Sequence, residues 1–177
     1  MEKVLFSEEQ RYTQWWLYLI MLASLLSVLI LFSVGIYQQV VLDKPFGDQP
    51  MSTEGLTVTG VFSVIIIALI FLVVFKSKLK TKVTNKALWL SFPPLMRKWK
   101  QIVPEQIERY EIRTYHAKRE YRGYGLRRGR RRYGAAYTIS GNIGVQLHFK
   151  NGKKLLIGTQ KKQTFEYAMR KLMEGEE

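Results

Sequence analysis

The sequence predicts an α+β membrane protein in which a two-helix transmembrane hairpin precedes a small antiparallel β-barrel of about seven strands with a C-terminal capping helix. Three observations carry that prediction. Two long stretches contain no charged residue, the apolar spacing changes from helical to alternating after Lys76, and nearly all the positive charge lies beyond that point. Residues 1–75 hold three basic and six acidic side chains, whereas residues 76–177 hold 25 basic and eight acidic ones. Such an asymmetry points to an anionic partner, and beside a bilayer the nearest anions are lipid headgroups. The absence of cysteine excludes disulfides, thiolate metal sites and a cysteine nucleophile.

Residues 1–14 mix both signs of charge and are expected to lie in the cytoplasm, either with Phe6–Gln10 as a short helix on the membrane surface or as a frayed extension. Residues 15–37 are too long for the apolar core of a signal peptide and are expected to remain as the first transmembrane helix. Trp15, Trp16 and Tyr18 at one end and Tyr37 at the other suit the two membrane interfaces. Residues 38–55 contain Pro45, Gly47, Asp48 and Pro50 and form the connecting loop, placed outside because Lys44 is its only cation. Residues 56–75 form the second span. Lys76, Lys78, Lys80 and Lys82 follow at once, and this crowding places residues 76–177, and with them both ends of the chain, in the cytoplasm. Neither span holds an ionisable residue, which argues against a substrate or proton path.

Within residues 76–177 the alternation of apolar and polar residues predicts strands over 79–83, 87–92, 97–103, 107–115, 135–140, 145–150 and 153–158. Asn151-Gly152 is a hairpin signal suited to positive φ at both turn positions. After the last strand Thr164 can cap a helix in which Phe165, Ala168, Met169 and Leu172 recur at helical spacing.

This order, with Arg122–Arg127 (RGYGLR), Ala136–Asn142 (AYTISGN), Gly144–Leu147 (GVQL) and Ile157–Gln160 (IGTQ), resembles the bacterial pleckstrin-homology-like (PH-like) domains of uncharacterised membrane proteins. The resemblance covers the later strands best and departs at Lys161-Lys162-Gln163, where such domains often have a proline and an acidic residue. It implies a PH-like barrel used as a binding module, anchored in a bacterial cytoplasmic membrane by two spans.

The loudest chemical feature is the run Arg119, Arg122, Arg127, Arg128, Arg130, Arg131 and Arg132, interleaved with Tyr121, Tyr124 and Tyr133. Guanidinium groups form bidentate hydrogen bonds with phosphate, so an anionic headgroup is a reasonable ligand. A diffuse field toward anionic lipid, at about 1 kcal/mol per residue near the surface, needs no pocket at all. A structural or regulatory subunit that binds an acidic protein or another copy of itself is the alternative, and nucleic acid ranks below both because no RNA- or DNA-binding signature accompanies the charge. No enzyme and no cofactor are expected. Both aspartates, Asp43 and Asp48, lie in the outer loop, and His116 and His148 lack the carboxylate cluster of a metal site. His148 is expected on the solvent side or opposite the core. The glycines of Gly123–Gly125 and Gly141–Gly144 read as turn and bulge residues.

Overall fold

The computed structural model describes residues 2–129 and 132–175. The chain divides into two compact units, one formed by Thr13–Phe75 and the other by Met1–Tyr12 together with Lys76–Glu177.

In the first unit, helix α1 spans Trp15–Val40 and α2 spans Thr53–Lys76, each running past the expected span at its loop end. At about 1.5 Å per residue both exceed a bilayer core of about 30 Å. Both are long and apolar enough to cross a membrane. Their packing depends on two glycines. A Cβ at Gly60 would lie 2.9 Å from the Phe32 ring, and one at Gly35 would lie 3.0 Å from both Leu56 and Phe46, so small residues here let the helices meet. Hydroxyls that would find no water are satisfied within the helix, Ser27 donating to the Ala23 carbonyl, Thr59 to Gly55 and Ser63 to Thr59, each at 2.8 Å.

Among the described residues the second unit holds nine strands in two sheets, two α-helices and one 3-10 turn at Pro104–Gln106. Strands β1 (Val4–Arg11), β2 (Lys78–Thr84), β3 (Leu88–Phe92) and β4 (Met96–Ile102) form an antiparallel sheet in that order. The second sheet has the order β5-β8-β9-β7-β6, built from β5 (Ile107–Thr114), β6 (Gly125–Arg128), β7 (Ala135–Thr138), β8 (Ile143–Phe149) and β9 (Lys154–Gly158). The seven expected strands are present with small shifts at their ends, and β1 and β6 are additional. The barrel is not closed. Strand β7 pairs parallel to β9, which inserts it between β9 and β6, and no ladder joins the two sheets among the described residues. The β8–β9 turn also differs, since Gly152 (φ +75°) has positive φ and Asn151 does not. Instead the Asn151 side chain accepts from the Lys153 N–H.

Strand β1 corrects the expectation for the N-terminal segment, which is neither a surface helix nor frayed. Arg11 pairs with Lys78, Glu9 with Lys80 and Ser7 with Lys82, so the chain begins in the sheet, leaves through the helices and returns beside its own start. Phe6, Glu8 and Gln10 point inward. Two of these three are polar, which removes the apolar alternation that announces a strand. They have partners at the end of β9. Gln10 donates to the Gly158 carbonyl (2.8 Å), and the Glu8 carboxylate accepts from the Thr159 hydroxyl (2.7 Å) and the Gln160 N–H (2.9 Å). Side chains thus join the two sheets where a ladder is missing.

Helix α4 (Lys162–Glu174) closes the core. It starts two residues before the expected Thr164 cap, and Lys161 precedes it without a side-chain cap. Phe165, Ala168, Met169 and Leu172 are buried with Phe6, Val83, Leu90, Val145 and Ile157. The Phe6 and Phe165 rings stack at 4.7 Å between centroids, joining the first strand to the last helix. Phe6→Ala is expected to cost about 3–5 kcal/mol. In a double-mutant cycle with Phe165→Ala the two should couple by about 0.5–1.5 kcal/mol, measured by denaturant unfolding in mild detergent. Additive losses would mean that the stacking contributes nothing of its own.

Candidate functional site

The described part of the arginine-rich segment contains regular structure. Helix α3 (Ala117–Tyr121) and β6 occupy most of it, and Tyr115 and Tyr121 are fully buried with Ala136 and Leu156. Tyr121, expected among the exposed arginines, is a core residue. Burial pushes its hydroxyl up to about 12, against the pull of Arg113, so it stays protonated and donates to Gln146.

Arg113 lies outside the run that the sequence singles out, yet it is the cation around which the local structure is arranged. Its Nη2 is 2.7 Å from the Glu120 carboxylate and donates to the Tyr121 hydroxyl (2.9 Å), while Nε and Nη2 donate to Gln146 Oε1 (3.2 and 3.0 Å). Glu120 also accepts from the His116 N–H at the start of α3 (2.8 Å). Three donors on Gln146 Oε1 fix which way its amide points. The amide nitrogen has no acceptor among the described residues. Residue spacing carried no sign of this network, because β5 and β8 are far apart in sequence.

The expected arginines do not converge. Arg119, Arg122, Arg127, Arg128 and Arg132 are exposed, and Arg130 and Arg131 lie outside the described residues. Arg122 ends α3 with φ +62°. The Arg127 guanidinium donates to the Tyr124 carbonyl (2.9 Å) and lies toward Tyr12, at the end of the unit where the chain passes to and from the helices. Arg128, the next residue and the last of β6, pairs with Ala135 and lies beside Lys153 and Lys154 around a hollow of about 490 Å³. The loop that carries Arg132 is pinched by the Gly129 N–H donating to the Gly134 carbonyl at 2.6 Å. A Cβ at Gly129 would lie 2.7 Å from that oxygen and from the Tyr121 ring, so only glycine fits. Lys100, Lys150 and Lys153 surround another hollow, of about 380 Å³. Positive charge is therefore spread over the unit.

His148 lies opposite Leu147 on its strand and is largely buried, with Nε2 3.1 Å from Glu111. No group of three His, Asp or Glu residues is placed to hold a metal ion among the described residues. The chain matches no protein-family model and no curated protein sequence.

The Arg113–Glu120 pair has a testable pH signature. Burial raises the Glu120 carboxyl, but the Arg113 guanidinium and the His116 N–H outweigh it and hold the group below its ordinary value of 4.5. A depressed carboxylate stabilises the fold fully above its ordinary value and loses that contribution as pH falls from there through the lowered folded-state value. Glu120→Gln should therefore cost about 1–3 kcal/mol at pH 7, with the gap from the parent closing below pH 4.5 in thermal melts recorded across pH. A gap independent of pH would assign Glu120 a packing role alone.

Proposed function

We propose that this chain is a membrane-anchored, PH-like binding module whose basic unit associates with anionic lipid headgroups of the cytoplasmic leaflet. The observation that carries the reading is the β1–β2 pairing. It supports a topology in which residues 4–11 and the unit from Lys78 onward share one side of any membrane the two helices cross, and Ser77 alone separates α2 from β2. The basic unit is thus tethered within a residue of a helix end. Dispersed cations fit a diffuse field, which depends on how many charges lie within about 10 Å of the surface and not on how a few are posed. The lysines after α2 favour the cytoplasmic side of a bacterial inner membrane. Two sheets under a C-terminal helix, antiparallel but for the β7–β9 pairing, are the features that support a PH-like layout, with side chains joining the sheets where a barrel would have a ladder.

Strand β4 favours a second reading, as a structural or regulatory subunit. It is a sheet edge on which Arg97, Lys98, Trp99 and Lys100 are all exposed, the kind of edge onto which an acidic extended segment adds.

Extraction of the full chain in mild detergent, followed by mass spectrometry of lipids and proteins, separates the two readings. Anionic phospholipid should be enriched. Arg→Lys at Arg122, Arg127, Arg128 and Arg132 together should keep the enrichment within a few-fold, and Arg→Gln at the same sites should abolish most of it. An acidic protein recovered in place of lipid would favour the subunit. Topology is checked separately by Lys3→Cys, Lys44→Cys and Glu174→Cys with an impermeant thiol reagent on intact cells. Only Lys44→Cys should label. Labelling at 3 and 174 but not 44 would reverse the orientation and keep the pairing, whereas labelling at just one of positions 3 and 174 would contradict the pairing itself.

A further inference from the structure

Between β5, β8, the start of β9 and the pair Arg132-Tyr133 lies a pocket of about 220 Å³, with Arg113, Arg132, Lys154, Tyr133 and Gln146 on its walls. We infer that this pocket is a binding site for a small oxyanion of the phosphate or phosphomonoester class. It is smaller than the ~300–1,000 Å³ of drug-sized sites, so its occupant is small.

Gln146 is 98% buried, being 2% exposed, and its amide nitrogen has two protons and no acceptor among the described residues. The amide cannot turn round to repair this. Its oxygen already accepts from Arg113 and Tyr121, and a flip would set N–H against N–H. Buried donors in native proteins have partners, and this one calls for an oxygen. The charges around it make the same demand. Arg113 and Arg132 each lie 5.9 Å from the centroid of the Tyr133 ring, so one ring holds two guanidinium groups. Glu120 compensates Arg113, but Arg132 and Lys154 have no carboxylate within ion-pair distance among the described residues. Two uncompensated cations and an unpaired amide suit an anion with several oxygens. The single acid on the wall, Glu111, is turned to His148 (3.1 Å) and Arg109 (3.7 Å).

This inference does not rest on lipid association. The pocket lies at the Lys154 end of β9, whereas Gln10, two residues from the point where the chain passes to the helices, reaches the Gly158 end. The same phosphate chemistry could come from a soluble ester or from a phosphomonoester lipid, and the experiment separates them.

The test uses the ¹⁵N-labelled full chain in phosphatidylcholine nanodiscs, titrated at constant ionic strength with inorganic phosphate and with glycerol 3-phosphate. The Gln146 side-chain amide, identified by its loss in Gln146→Glu, should move and saturate. Gln146→Glu keeps an acceptor for Arg113 but replaces the donor with a negative oxygen, so the backbone signals of Tyr133 and Lys154 should then respond at least ten-fold more weakly. Arg132→Gln, at an exposed position that leaves the fold intact, should weaken binding about five-fold with an unchanged melting temperature. Saturation with the soluble probes identifies a free phosphate ligand. Movement of the Gln146 amide only when phosphatidic acid is added to the nanodisc identifies a lipid one. No saturable movement under either condition, or movement unaffected by both substitutions, would overturn the site.

Discussion

Strand β1 closes the chain on itself. Residues 4–11 supply the edge of a sheet whose next strand begins at Lys78, on the far side of the two helices in the sequence. Phe6 then stacks on Phe165, and Glu8 and Gln10 bind the end of β9, so the first strand holds both the last helix and the second sheet. A segment lost from the front of the chain would expose the core from which α4 packs. The loop between the paired strands is long, and the entropy of closing it grows with length, but the helix pair returns the chain close to its starting point and removes most of that cost. The hairpin is in this sense also a folding device for the unit that follows it.

The second constraint is electrical. A unit with this much positive charge repels itself, and the fold spreads its cations among α3, β4, β6 and the turn after β8. Where a cation is drawn inward, as Arg113 is, it receives a carboxylate, a hydroxyl and an amide oxygen together. Leaving such a group partly paired would cost several times what a surface pair gains. The same network orders Gln146, whose amide nitrogen has no acceptor among the described residues. The dispersed surface cations and the buried Arg113 network thus have one cause, the need to accommodate cations next to a small core.

Much of the architecture could be read from residue order because it follows local rules. Uncharged runs of bilayer length are helices whatever surrounds them, and α1 and α2 lie where their composition put them. The alternation in β2 and the helical spacing of Phe165, Ala168, Met169 and Leu172 report one-sided burial directly, and β3, β8 and β9, buried almost throughout, are still marked by their apolar residues and bounding turns. Distant pairings erase such signals. Strand β1 reads as polar because the inward side chains Glu8 and Gln10 bond to residues about 150 positions away. Strand β6 is hidden in a basic, glycine-rich segment whose pairing with β7 is decided by where β9 lies. The arginines were visible as a run, but not that consecutive ones would part, Arg127 bonding back to the Tyr124 carbonyl and Arg128 lying beside Lys153 and Lys154. Tyr121, Arg113 and Gln146 gave no warning at all, since a buried tyrosine and an exposed one are written identically. Periodicity and charge, which each segment carries alone, determined the helices, most strands and the basic side; the open sheet order, the polar seam and the pocket depend on which segments meet, and only the tertiary structure decided that.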